Sequence, residues 1–321
     1  MIPLEDIERA RERISTTVNR TPLVRLHLDD VPGEIWLKLE SLQPIGSFKL
    51  RGAANAILSA PRADLASGVV TTSTGNMAQG VAWMARELDI PATIVVPDNA
   101  SPVKLAAVER LGGRIVRLPW EKWWAAVDVD RDRDLGEGVE GYFVHPVRDE
   151  PVMAGNGTIG LELAEQLDDI DAVLIPWGGG GLTTGIASAL KAVSPATKVY
   201  VCEPATGAPV AAAIANGGVP TPVEFTPSFI DGAGSGALLE VMWEHARPLV
   251  TDAFAIPLED AAAAVRLLLE RARIVAEGAA ALTVAAAVAG LVDAERIVCI
   301  ISGGNIDAAR LSEILAGRVP T

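Results

Sequence analysis

The chain has 321 residues, half of them apolar, with 27 Lys and Arg against 41 Asp and Glu and a net charge of −14. That length supports one large domain or two ordinary ones around a well-buried core, and the composition excludes a disordered chain. The acidic balance argues against a grip on nucleic-acid phosphates, and the 4% aromatic content leaves the core to Ala, Val, Leu and Ile.

The N-terminal "MIPLEDIERARERIS" carries its charges on a helical period and lacks the apolar centre of a signal peptide. A cytoplasmic location is therefore expected. Residues 46–52 read "GSFKLRG", with Lys49 between Phe48 and Leu50 ahead of an Ala-rich segment. A lysine in such a setting is either a snorkelling surface residue or a desolvated amine that forms a Schiff base. The heptapeptide alone does not choose.

Apolar runs then alternate with helical patterns. Strands are predicted at "GVVTT" (68–72), "ATIVVP" (92–97), "RIVRL" (114–118), "GYFVH" (141–145), "AVLIPW" (172–177), "KVYVCE" (198–203) and "RIVCIIS" (296–302). Helices are predicted at 76–88, 101–111, 155–167, 181–193 and 306–316. The Ala/Val-rich run 278–291 is too short for a membrane crossing of ~20 residues and reads as a buried helix. Cys202 and Cys299 each lie in a strand-like run and read as buried free thiols. The alternation indicates βαβ units with parallel sheets, so ligands are expected beyond the carboxyl ends of strands.

Three strand-to-helix turns stand out there: "TTSTGNMAQG" (71–80), "PWGGGGLTTG" (176–185) and "IISGGNID" (300–307). Each lets backbone N–H groups approach an anion at a helix start. The run Gly178-Gly179-Gly180-Gly181 is the strongest. A G-x-G-x-x-G pattern from Gly178 fails at Thr183, and a Walker pattern from Gly180 fails at Ile186, where a lysine is required. A flexible linker would not join "AVLIPW" directly to "LTTGIASALKAV". What remains is a small phosphate held by successive amides. The Ser302 and Asn76 turns taken singly are also ordinary helix caps.

Taken in order, "GSFKLRGAANAI", "STGNMAQG", "GGGGL", "EGAAA" and "SGGN" resemble fold-type II pyridoxal-phosphate enzymes, nearest the serine/threonine dehydratase and serine racemase branch. The resemblance covers nearly the whole chain, including "RTPLVRL" (20–26). It implies an α/β, tryptophan synthase β-like fold of two domains, each an open, mostly parallel twisted sheet flanked by helices. Residues 1–58 and 151–321 would form the large cofactor-binding domain and 59–150 a small mobile one. The cofactor implied is pyridoxal 5'-phosphate. Lys49 would bind it covalently, with Phe48 beside the ring. Asn76 would meet the ring hydroxyl, and Ser302 the pyridine nitrogen. Gly178, Gly179, Gly180, Gly181 and Leu182 would hold the phosphate. Ser73, Thr74, Gly75, Asn76 and Met77 would line the substrate carboxylate. The implied reaction is β-elimination of a β-hydroxy-α-amino acid, serine or threonine by default, to a 2-oxo acid and ammonia. Racemisation, with Thr74 as proton donor opposite Lys49, is the alternative. The implied partners are a small amino-acid substrate and a second copy in a homodimer.

Several residues depart from the pattern. Met77 stands where the branch often has His, Trp177 where a smaller aliphatic is common, and "HPVRDEP" (145–151) runs about one residue long. Trp120, Trp123 and Trp124 read either as a half-packed surface helix or as an aromatic lid of a roomier pocket. Those tryptophans would suit phenylserine, and Arg148 would suit 3-hydroxyaspartate. No metal site is expected: "CEPATGAPV" keeps Glu203, but Pro209 takes the place of a second acid.

Overall fold

The computed structural model describes residues 1–29, 31, 33–100, 102–127, 135 and 138–320. The chain begins with α1 (Leu4–Ile14), β1 (Leu23–Leu26), β2 (Glu34–Leu39) and α2 (Lys49–Ser59). Next come β3 (Val69–Thr72), α3 (Asn76–Glu87), β4 (Ala92–Pro97), α4 (Pro102–Arg110), β5 (Arg114–Leu118), α5 (Trp120–Val127) and β6 (Tyr142–Phe143). Then α6 (Glu150–Gln166), β7 (Ala172–Pro176), α7 (Gly181–Val193), β8 (Lys198–Pro204), α8 (Pro209–Ala215) and α9 (Glu240–Ala246) follow. The chain closes with β9 (Asp252–Ile256), α10 (Leu258–Leu267), α11 (Gly278–Val288), β10 (Arg296–Ile301) and α12 (Ala308–Leu315).

The described strands form two sheets. One has the order β1-β2-β10-β7-β8-β9, the other β5-β4-β3-β6. Among them every pairing is parallel except β1 with β2. The apolar runs explain this. Every residue of β4 and of β7 is buried, as expected of strands covered on both faces. In β10 the side chains alternate: Ile297, Cys299 and Ile301 pack with α10 and α11, while Val298 and Ile300 pack with α6 and α7. Helix α11, apolar all round, is buried along most of its length. Cys202 and Cys299 are buried free thiols.

The smaller sheet's core takes in the apolar face of α2. Leu50, Ala53 and Ile57 share a cluster with Val69, Val81 and Ile94. So the helix that starts at Lys49 contacts both sheet systems. Its other side is fixed by a buried ionic quartet. Arg51 bonds Glu40 and Glu162, and Lys38 bonds Glu162.

Some boundaries moved. The strand predicted at 141–145 shrinks to Tyr142–Phe143, because the chain turns sharply at His145. The helix predicted from 155 starts at Glu150, with Pro151 in its first turn. Strands β1, β2 and β9 were not predicted. Within β2, Glu34 and Lys38 interrupt the apolar run, and Lys38 is buried only because the quartet satisfies its charge.

Candidate active site

The carboxyl end of β10 and the start of α2 are stitched together. Phe48 N–H donates to Ser302 C=O at 2.9 Å, and Gly304 N–H donates to Gly46 C=O at 2.9 Å. This places Lys49, first residue of α2, at the carboxyl edge of the larger sheet. Lys49 Nζ donates to Pro146 C=O at 2.8 Å and lies 5.2 Å from the Phe48 ring centroid. Phe48 is buried and Lys49 keeps part of its surface open. Burial of the amine lowers its pKa to about 8, against the opposing pull of the Glu277 carboxyl.

Beyond β7, Gly178–Gly181 wind into α7. A Cβ at Gly178 would lie 2.3 Å from Gly232 O, and one at Gly181 2.5 Å from Val147 O. Gly180 has φ +91° and its Cβ would meet the Trp177 ring at 2.7 Å. The bare backbone is therefore a packing requirement. The hydroxyls of Thr183 and Thr184 in the first turn of α7 are buried without a partner, and Leu182 is buried beside them. Such a loop can seat a small anion. Trp177, which stands where a smaller aliphatic is common in the branch, is 1% exposed and packs behind the loop with Val201, Val210 and Trp243.

The third turn opens α3. Ser73 Oγ accepts from Gly75 N–H at 3.2 Å, and a Cβ at Gly75 would meet nothing within 4 Å. Ser73, Thr74, Gly75 and Asn76 are all half-buried. Asn76 Nδ2 donates to both Glu277 oxygens at 3.1 Å, and its Oδ1 accepts from Asn305 Nδ2 at 2.7 Å. Burial raises the Glu277 pKa to about 7, with Asn76 pulling it down. The Met77 side chain is buried in the core between α3 and the smaller sheet.

The peripheral candidates separate. Trp123 Nε1 donates to Val95 C=O at 3.0 Å and its ring lies 5.3 Å from Trp120, so this helix packs half-buried on the smaller sheet. The Trp124 side chain lies outside the described residues. Arg148 donates its backbone N–H to His145 Nδ1 at 2.9 Å. Glu203 accepts from the amides of Val210 and Ala211 at 3.0–3.1 Å, and burial raises its pKa to about 7.

Residues 14–303 match the model of a family described as pyridoxal-phosphate dependent enzyme. The chain belongs to this family. It is 38% identical to an L-threonine ammonia-lyase of Thermotoga maritima, over 98% of this chain and 78% of that one. It is 34% identical to a catabolic L-threonine dehydratase of Escherichia coli, over 98% and 96%. Among solved structures, maize serine racemase superposes with a TM-score of 0.87 at 29% identity, covering 98% and 97%. The processed form of threonine deaminase isoform 2 from Solanum lycopersicum gives 0.84 at 29% identity, covering 98% and 93%.

The cofactor of this family is pyridoxal phosphate, and the residues present fit it. The loop at 178–181 tolerates no Cβ, two threonine hydroxyls beside it are unsatisfied, and a lysine of lowered pKa stands at the sheet edge. Sequence reasoning missed three contributors. Glu277 opens the "EGAAA" motif, but nothing local signals that it meets Asn76 across 201 residues of chain. The 231–236 segment backs the glycine loop, with Gly234 N–H on Trp177 C=O at 2.9 Å; its signal was "DGAGSG". Pro146 supplies the carbonyl at Lys49, and nothing in its residue type signalled that.

Proposed function

We propose that this chain is an ammonia-lyase that removes the β-hydroxyl and amino groups of threonine or serine to give a 2-oxo acid and ammonia. The observation that carries the reading is the Lys49 amine, with a pKa of about 8, held at the edge of the larger sheet. At pH 7.5 an ordinary lysine is ~0.1% neutral, whereas one at about 8 is roughly a quarter neutral. A neutral amine is what both covalent attachment and proton abstraction need.

Pyridoxal phosphate, when bound, supplies the electron sink for the carbanion at the substrate Cα. In this reading Lys49 holds the cofactor and, once displaced by substrate, takes the Cα proton. Gly178 to Gly181 and Leu182 hold the phosphate, Phe48 flanks the ring, and Asn76 holds the ring hydroxyl while Glu277 fixes the Asn76 amide. Ser302 would meet the pyridine nitrogen with a neutral hydroxyl, and so would support the electron sink less strongly than an aspartate and favour elimination over transamination. The amides and hydroxyls of Ser73 to Asn76, with the Met77 backbone, hold the substrate carboxylate. Residues 59–150 would act as a small mobile domain closing on 1–58 and 151–321, and the chain would work as a cytoplasmic homodimer. Threonine and serine are favoured over phenylserine, because Trp177 and Met77 are both engaged in core packing.

A second reading, racemisation, draws on the likeness to maize serine racemase and on the half-buried Thr74 hydroxyl. D-serine forming from L-serine ahead of pyruvate would favour it. The primary test is borohydride reduction of the holoenzyme, peptide mapping, and assay of 2-oxo acid from serine, threonine, phenylserine and 3-hydroxyaspartate. A pyridoxyl group on Lys49 and oxo-acid release from threonine or serine are expected. Full turnover in Lys49→Ala would end the reading.

A further inference from the structure

The turn that follows β6 is organised around one buried ring. His145 Nδ1 accepts from Val147 N–H at 3.1 Å and from Arg148 N–H at 2.9 Å. A nitrogen that accepts twice carries no hydrogen, so the imidazole is the neutral Nε2–H tautomer, an assignment made from its partners. The His145 backbone N–H donates to Asp149 Oδ2 at 2.9 Å, and Asp149 is the N-cap residue of α6. The turn is thus pinned to a long helix at one end and to its own ring at the other.

Its two middle residues reach different parts of the site. The Pro146 carbonyl accepts from Lys49 Nζ at 2.8 Å. Val147 lies against the glycine loop, where a Cβ at Gly179 would come within 2.6 Å of Val147 Cγ2. The ring acceptor thus satisfies the two amides that close this turn and fixes its shape.

We propose that His145 is a positioning residue whose Nδ1, by closing the 145–149 turn, sets the Pro146 carbonyl at the Lys49 amine and Val147 under the glycine loop together. The proposal rests on Lys49 and the 178–181 loop being the cofactor site. One ring then couples the covalent and phosphate anchors, and loss of its acceptor loosens both.

Three substitutions separate this from general packing. In His145→Asn the amide oxygen stands where Nδ1 does. In His145→Gln the acceptor lies one carbon further out. His145→Phe keeps an edge contact with Phe143, now 6.2 Å between centroids, and has no acceptor. The readouts are the cofactor dissociation constant, from dilution of the holoenzyme followed by absorbance, and borohydride labelling of Lys49. Phe and Gln variants are expected to raise the constant at least about tenfold, or about 1.4 kcal/mol, with Asn within about threefold of the parent. Equal constants in all three variants, or an Asn variant as weak as Phe, overturn the proposal. If the Phe variant fails to fold by circular dichroism, the Asn–Gln comparison makes the same decision. Lys49→Ala separates the two layers. A label that persists on another lysine sinks the cofactor-site reading, whereas loss of label there with unchanged His145 variants sinks only the role of His145.

Discussion

Replacing Arg51 by Met tests what holds the helix that carries Lys49. Arg51 is 1% exposed and makes four hydrogen bonds of 2.7–3.0 Å to Glu40 and Glu162. Methionine fills similar length but leaves two buried carboxylates with Lys38 as the remaining cation of the quartet. Removing one partner from a buried ion pair costs ~3–5 kcal/mol, a large share of a typical stability of ~5–15 kcal/mol. At about 1.5 °C per kcal/mol for a chain of this length, Tm should fall by roughly 4–8 °C. The cost should also depend on pH. Burial pushes Glu40 up, but the charge and hydrogen bonds of Arg51 override it and hold the carboxyl below its ordinary value. In the parent, Glu40 therefore contributes stability above its unfolded pKa and loses it as pH falls through the lower folded value. Without Arg51 burial dominates and the folded value rises. The penalty then appears above the unfolded pKa and grows with pH toward the raised folded one. Urea unfolding of the holoenzyme at pH 5 and pH 8 should give the larger loss at pH 8, and Glu40→Gln in the Arg51→Met background should recover part of it. A loss below ~1 kcal/mol, or one equal at both pH values, would refute the argument.

Gly181→Ala places a methyl 2.5 Å from Val147 O, and the cofactor dissociation constant should rise at least about tenfold; an unchanged constant would remove the loop from the phosphate site. Ser302→Asp puts a carboxylate at a position 2% exposed, and products should shift from 2-oxo acid toward transamination or racemisation; unchanged absorbance and product ratios would detach Ser302 from the ring. A chelator should leave turnover within about twofold, because the Glu203 carboxylate is already occupied by the Val210 and Ala211 amides; activity lost to chelator and restored by Mg²⁺ would contradict this.

The sequence was most legible where apolar runs are uninterrupted. The predicted strands at 92–97 and 114–118 and the helix at 181–193 coincide with β4, β5 and α7. It was least legible where a charge is buried by partners far along the chain. Lys38 reads as polar in β2, and it is a core residue because Glu162, 124 residues away, together with Gln166 and the Thr21 carbonyl, satisfies its amine. The site showed the same division. Lys49, Asn76 and Ser302 were singled out by the resemblance their motifs carry together, since each motif alone also reads as an ordinary surface residue or helix cap, and only the glycine run pointed locally to an anion. Side-chain direction has no local signature in so short a stretch. Met77 and Trp177 sit inside site motifs yet face cores, since the residue after a turn residue on a helix, or before it on a strand, points to another side.

That division bears on specificity. Met77 and Trp177, the two bulky residues that depart from the branch pattern, are engaged in packing, and Trp177 also explains the bare Cα of Gly180. The glycine loop is shaped on one side by Trp177, on another by Gly232, and on a third by Val147. Val147 belongs to a turn closed by His145, and the same turn supplies the carbonyl at Lys49. On the proposed reading, a change at 145–149 would reach the glycine loop and the Lys49 amine together, whereas a change at Trp177 would reach the loop from behind.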